Sequence, residues 1–103
     1  MSGQDNCIFC KILKGELPCD KVYEDEHTFA FLTIKPDAPG HILVIPKKHY
    51  RNLFDCPSET LNHVIHTVQK LAKSHSCVKI VQNNERPIQE VFHLHFHIIP
   101  YGD

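Results

Sequence analysis

The chain lacks an excess of charge of either sign, a long apolar run, an internal repeat and a disulfide framework. Its 11 Lys and Arg stand against 12 Asp and Glu, a formal net charge of −1. No positive surplus therefore draws it to a nucleic-acid polymer or an anionic membrane surface. No segment approaches the roughly 20 apolar residues that cross a bilayer. The opening Met1-Ser2-Gly3-Gln4-Asp5-Asn6 is polar and has no apolar stretch of the kind a secretory signal needs. Five cysteines, Cys7, Cys10, Cys19, Cys56 and Cys77, are an odd number without a small secreted-scaffold context. That usage points to thiols or metal ligands in a reducing, cytoplasmic setting. With no linker or low-complexity run to divide them, residues 1–103 read as a single domain. What the chain has in excess is histidine, nine in all.

Three of the nine fall at alternate positions, His93-Leu94-His95-Phe96-His97, followed by Ile98-Ile99-Pro100. In a β-strand, side chains at i, i+2 and i+4 share a face. The pattern predicts an extended segment over 92–99. Three imidazoles at steps of roughly 6–7 Å line one side, and Leu94, Phe96 and Ile98 turn to the core. As a helix, the same apolar residues form no stripe. Imidazole serves as nucleophile, general acid or base, and metal ligand near neutral pH. The row is the candidate active centre. His95, flanked on both sides, is the candidate nucleophile, and His97 stands on the same face beside it.

The rest of the chain supplies a scaffold. Residues Ile8 to Lys14 read as a short helix stopped by Gly15 and Pro18. Lys21–Glu24 and Thr28–Leu32 read as a hairpin. Pro36-Asp37-Ala38-Pro39-Gly40 is a rigid loop. His41–Pro46 is an apolar strand that begins on a histidine. One long helix is expected from about Pro57 to His75, with Pro57 at its first helical position and Glu59 in its first turn. Its stripe is Leu61, Val64, Ile65, Val68, Leu71 and Ala72, with His63 and His66 on the solvated side. Cys77–Val81 is a strand, and 82–89 is a polar loop. The sum is an α+β fold, a five-stranded antiparallel sheet with one long and one short helix.

Cys7-x-x-Cys10 is a second candidate constellation. Two thiols at this spacing can clasp zinc from a turn at a helix start, but the same spacing suits a redox dithiol or two buried cysteines.

Taken in order, His93–Ile99, Cys7-Ile-Phe-Cys10-Lys-Ile, Gly15-Glu-Leu-Pro18, Val22-Tyr-Glu-Asp-Glu26, Pro39-Gly-His-Ile-Leu-Val-Ile-Pro46 and Lys48-His49 resemble the blocks of the histidine-triad (HIT) nucleotide-binding family. The resemblance covers nearly the whole chain. It implies a HIT-like fold and a homodimer with a sheet continuous across its interface. It implies hydrolysis or transfer at the α-phosphate of a purine nucleotide or nucleoside phosphoramidate, through a nucleotidyl-histidine. Residues matching His95 and His97 are the family's nucleophile and phosphate ligand, and His41 matches a histidine beside them. Zinc-bearing relatives complete the Cys7/Cys10 pair with residues matching His49 and His93. By the same resemblance, Ile8, Phe9, Phe31 and Ile34 form the slot for the base, while Asn83, Asn84, Gln89 and Glu90 approach the phosphate side.

Two positions depart from the family. Thr33 stands where an acidic residue contacts the ribose, and a hydroxyl cannot make that bidentate charged contact. Residues 83–89 contain no glycine where the family loop brings backbone amides to phosphate, with Ile88 before Gln89. Three classes of function follow. One is a nucleotide hydrolase working through His95. Another is a metal-dependent hydrolase with the row as ligands. The third is a nucleotide-binding interaction module with little turnover.

Overall fold

The computed structural model describes residues 6–101. The elements run α1 (Ile8–Leu13), β1 (Asp20–Glu24), β2 (Thr28–Leu32), β3 (Ile42–Pro46), α2 (Ser58–Ala72), β4 (Val78–Val81) and β5 (Phe96–Pro100). All five strands join one antiparallel sheet in the order β1-β2-β3-β5-β4. The α+β expectation and the strand count hold.

Strand alternation sorts side chains into two cores. Ala30, Ile42, Val44, Phe96 and Ile98 turn to the face covered by α2 and pack with Val64, Val68 and Leu94. Phe29, Phe31, Leu43 and Ile45 turn the other way and pack with Cys7, Phe9 and Cys10 of the short N-terminal helix. Register keeps the sorting consistent across strands, pairing Leu43 with His97 and Val44 with Phe96. The histidines at 93, 95 and 97 therefore belong to the face under α1.

Several boundaries differ from the sequence reading. The ladder of β5 runs over Phe96–Pro100 rather than over 92–99. Pro46 at the end of β3 has no N–H to donate, and its carbonyl takes the His93 ring at 3.0 Å. Leu94 instead donates its N–H to the Tyr50 carbonyl, 2.8 Å away. Residues 93–95 are thus an ordered lead-in that keeps the alternation without the ladder. Pro57 caps α2 in extended geometry, so the helix starts at Ser58, one residue later than expected, and the Pro57 carbonyl accepts from Leu61 N–H. The helix ends at Ala72, short of His75.

The buried stripe of α2 also differs from expectation. It takes in Thr67, whose hydroxyl donates to the His63 carbonyl, and leaves Ile65 largely exposed. His63 is not freely solvated. Its ring stacks on His27 at a centroid distance of 3.8 Å.

Candidate active site and metal centre

His41 enters the site because Gly40, in the left-handed region at φ +83°, turns the chain sharply into β3. The buried ring then spans two partners. The Asp37 backbone N–H donates to its Nδ1 at 3.0 Å. That nitrogen is therefore the acceptor, and in the neutral ring the proton sits on Nε2. Nε2 lies 2.9 Å from His97 Nδ1, so His41 donates and His97 accepts. The remaining His97 proton is then on Nε2, which no protein group takes among the described residues. A backbone amide at Asp37 has, through two rings, set a hydrogen-bond donor on His97.

His95 has the opposite tautomer. Its Nδ1 is 2.8 Å from the His93 carbonyl, an acceptor only, so Nδ1 carries the proton and Nε2 keeps a lone pair. Its ring packs edge-on against Phe9, at 5.2 Å, and against His97, at 5.0 Å. It is only 6 % exposed. Burial holds His95 and His41 below the ordinary histidine value. It pulls His97 down to about 4, helped by the neighbouring imidazoles of His95 and His41. All three rings are therefore neutral at pH 7. A neutral imidazole with a free Nε2 beside a neutral N–H donor can attack an electrophile while the neighbour binds its oxygen.

A cleft of about 1080 Å³ opens beside the row. Ile8, Phe9, Phe31, Thr33 and Ile34 line it on the α1–β2 side, and Asn83 and Glu90 on the other. His41 and His97 lie between. Ile34 is 90 % exposed at the rim. His95 does not line the wall itself; its ring packs against Phe9 and His97, which do.

Two sequence-predicted contacts lie elsewhere, and this is a correction. Asn84 caps the Leu53 amide and pairs with Gln82. Buried Gln89 accepts from Glu85 N–H and Asn52, and donates to the Arg51 and Val91 carbonyls. Both side chains brace the glycine-free loop instead of facing the cleft. Arg51 forks onto Glu85, whose φ of 74° makes the turn a glycine would otherwise make. The Arg51 and Arg86 guanidiniums flank the Phe92 ring at 4.1 and 5.1 Å.

Sequence reasoning missed Leu43, Val81 and Lys79 as cleft residues. Leu43 was findable by alternation from His41. The β4 pair was not, because the partner of β4 cannot be read from the chain. The Asp37 amide left no signal at all.

The second cluster lies at the other end of the row. Cys7 caps α1, its sulfur accepting from Cys10 N–H. His93 Nε2–H donates to the Pro46 carbonyl, which leaves its Nδ1 lone pair aimed at Cys7 Sγ, 3.3 Å away, and Cys10 Sγ, 3.5 Å away. Cys10 Sγ is 3.3 Å from His49 Nδ1. All four candidate donor atoms lie within 4.8 Å of one another. Tetrahedral Zn–S and Zn–N bonds place neighbouring donors about 3.5 Å apart, so the set fits zinc in both chemistry and spacing. Burial and the adjacent Cys7 thiol push Cys10 up to about 12, so without a cation that thiol stays protonated.

A small α+β domain with an alternating histidine row beside a cleft is a recognisable class, and comparison with known proteins gives it a name. The HIT domain model matches residues 14–102. An adenosine 5'-monophosphoramidase of Saccharomyces cerevisiae is 45 % identical over 100 residues, covering 94 % of this chain and 63 % of that protein. A solved HIT-like protein of Bartonella henselae superposes with a TM-score of 0.89 at 50 % identity, over 93 % of this chain and 77 % of that one. A zinc-bound histidine-triad protein of Mycobacterium smegmatis gives 0.91 at 34 % identity, over 97 % and 78 %. The chain belongs to the HIT domain family.

Proposed function

We propose that this protein hydrolyses nucleoside phosphoramidates and related nucleotides at the α-phosphorus through a covalent nucleotidyl-histidine on His95. The observation that carries the reading is the pair of opposed tautomers, a lone pair on His95 Nε2 and an N–H on His97 Nε2. In the first step the His95 Nε2 lone pair forms a bond to phosphorus as the bond to the leaving group breaks. The His93 carbonyl holds the Nδ1 proton and stabilises the resulting imidazolium. His97 Nε2–H binds a non-bridging oxygen as charge builds there. Water then displaces the nucleotide from His95, releasing the nucleoside monophosphate and restoring the ring. The apolar wall of Ile8, Phe9 and Phe31 takes the base, a purine by family resemblance, and Thr33 offers one hydroxyl to the sugar.

Cys7, Cys10, His49 and His93 would hold zinc in a structural role, clasping the start of α1 to the strand that carries the nucleophile. The outer edge of β4 has no partner strand among the described residues and exposes Ile80, with Ile65 exposed on α2. It is the edge through which a homodimer sheet would run on. Five free cysteines suit a cytoplasmic setting, and among the described residues no helix is long and apolar enough to cross a membrane.

The rival reading, a nucleotide-binding module with little turnover, draws on the loop at 83–89, where the side chains of Asn84, Glu85 and Gln89 are spent on bracing. Turnover of adenosine phosphoramidate separates the two. A steady rate above background supports the hydrolase. Adenosine monophosphate binding without turnover supports the module.

A further inference from the structure

The four donors of the Cys/His cluster are not equally reachable. His93 is fully buried, and none of the four lines the large cleft. A separate cavity of about 440 Å³ shares no residue with that cleft. Its wall includes Cys10 and His49 but neither Cys7 nor His93. Cys10 Sγ and His49 Nδ1 stand 3.3 Å apart. The volume falls in the range of small-molecule sites.

The same wall carries three lysines, Lys14, Lys47 and Lys48, and no acid. Their places follow from the chain. Lys14 caps the end of α1, about one turn after Cys10 and on the same side. Lys47 and Lys48 fill the step between Pro46, the last residue of β3, and His49. Lys47 is paired with Glu24 at 2.8 Å. Lys14 and Lys48 make no ion pair among the described residues. Asp55 lies outside the wall and accepts from the Arg51 and Asn52 backbone amides. Each outer donor thus has an unpaired ammonium close to it in sequence. Such a mouth repels a bare divalent cation and draws in an anion.

Resting on the zinc-site reading, we propose that this cavity is the port through which the metal is exchanged, and that it takes a small polyanionic ligand, a carboxylate or thiolate chelator, as the metal's carrier. The lysines hold the carrier's negative groups, and Cys10 and His49 are the donors it reaches first. On delivery, each protein donor that bonds to the metal replaces one carrier atom, and the thiol protons pass to the departing anion or to water. Withdrawal is the same exchange reversed. No electron changes hands.

The test uses the zinc-loaded protein. Zinc remaining after timed desalting is measured by elemental analysis, at low salt, with ethylenediaminetetraacetate as a polyanionic chelator or 1,10-phenanthroline as a neutral one. Withdrawal by the polyanion should rise with its concentration. Lys14→Glu combined with Lys48→Glu should slow it by about tenfold and leave the rate with phenanthroline unchanged. The paired Gln variants should act in the same direction by less, and high salt should erase the difference. Lys73→Glu, at the end of the helix on the opposite face, should move neither rate. A polyanion rate independent of its concentration, an equal slowing with both chelators, or rates unmoved by the lysine variants would overturn the proposal and leave the zinc site standing. Wild-type protein that purifies without zinc and takes none up would overturn both.

Discussion

The two faces of the sheet spend their residues differently. Under α2, alternate positions are filled by Ala30, Val44, Leu94 and Ile98, all fully buried and all apolar, closed by Val64 and Val68. Under α1, the same strands present Leu43 and Ile45 but also His41, His95 and His97, and the six-residue α1 covers only part of the area. The first face is apolar but for the buried hydroxyls of Thr28 and Thr67, and its work is stability. The second keeps buried imidazoles, each needing a partner, and leaves a cleft where a longer helix would have filled it. One backbone alternation yields both, and the chemistry of the second face depends on the rigidity of the first.

That contrast can be broken at several points. The largest effect is expected from His95→Ala, which should lower kcat/KM by about 10⁴-fold or more while the melting temperature changes little. A mutant with undiminished turnover would remove the division of labour. Metal removal comes next. Chelation, or Cys7→Ser, should lower Tm by about 15 °C or more by thermal melt, because α1 loses its clasp. An unchanged melt would mean that the cluster does not hold the helix.

Val64→Ala, on the other face, should cost about 2 kcal/mol in urea unfolding and leave the kcat/KM of the folded enzyme as it was. The smallest effect is with pH. His97 is held at about 4 against its ordinary 6.5, so the unfolded chain takes up a proton first as pH falls. Stability should therefore decline from pH 6.5 toward 4 and then level off. His97→Gln should flatten part of that slope in urea midpoints measured across the range.

Much of this contrast is legible in the chain. Alternation in His93–Ile98 and in Ile42–Pro46 separates the faces, because a period of two is a local property of extended backbone. Cys7, Cys10, His49 and His93 are widely spaced, and only the resemblance to known relatives brought them together before the structure did. Long-range pairing is where reading stops. Nothing local places β4 beside β5, so Lys79 and Val81 look like ordinary strand residues until the register is known. The family resemblance puts Asn84 and Gln89 on the phosphate side. Their distant partners, Arg51, Asn52 and Leu53, lie more than thirty positions away in sequence. The amide of Asp37 could not have been found, since any residue but proline offers the same N–H.

The central claim is a covalent bond between His95 and the nucleotide, and it can be weighed directly. Wild-type protein mixed with adenosine phosphoramidate, quenched within the first turnover without acid, should gain the mass of one adenylyl group, and peptide mapping should locate it on His95. Steady turnover with no adduct at any quench time, or an adduct mapped to another residue, would contradict the account.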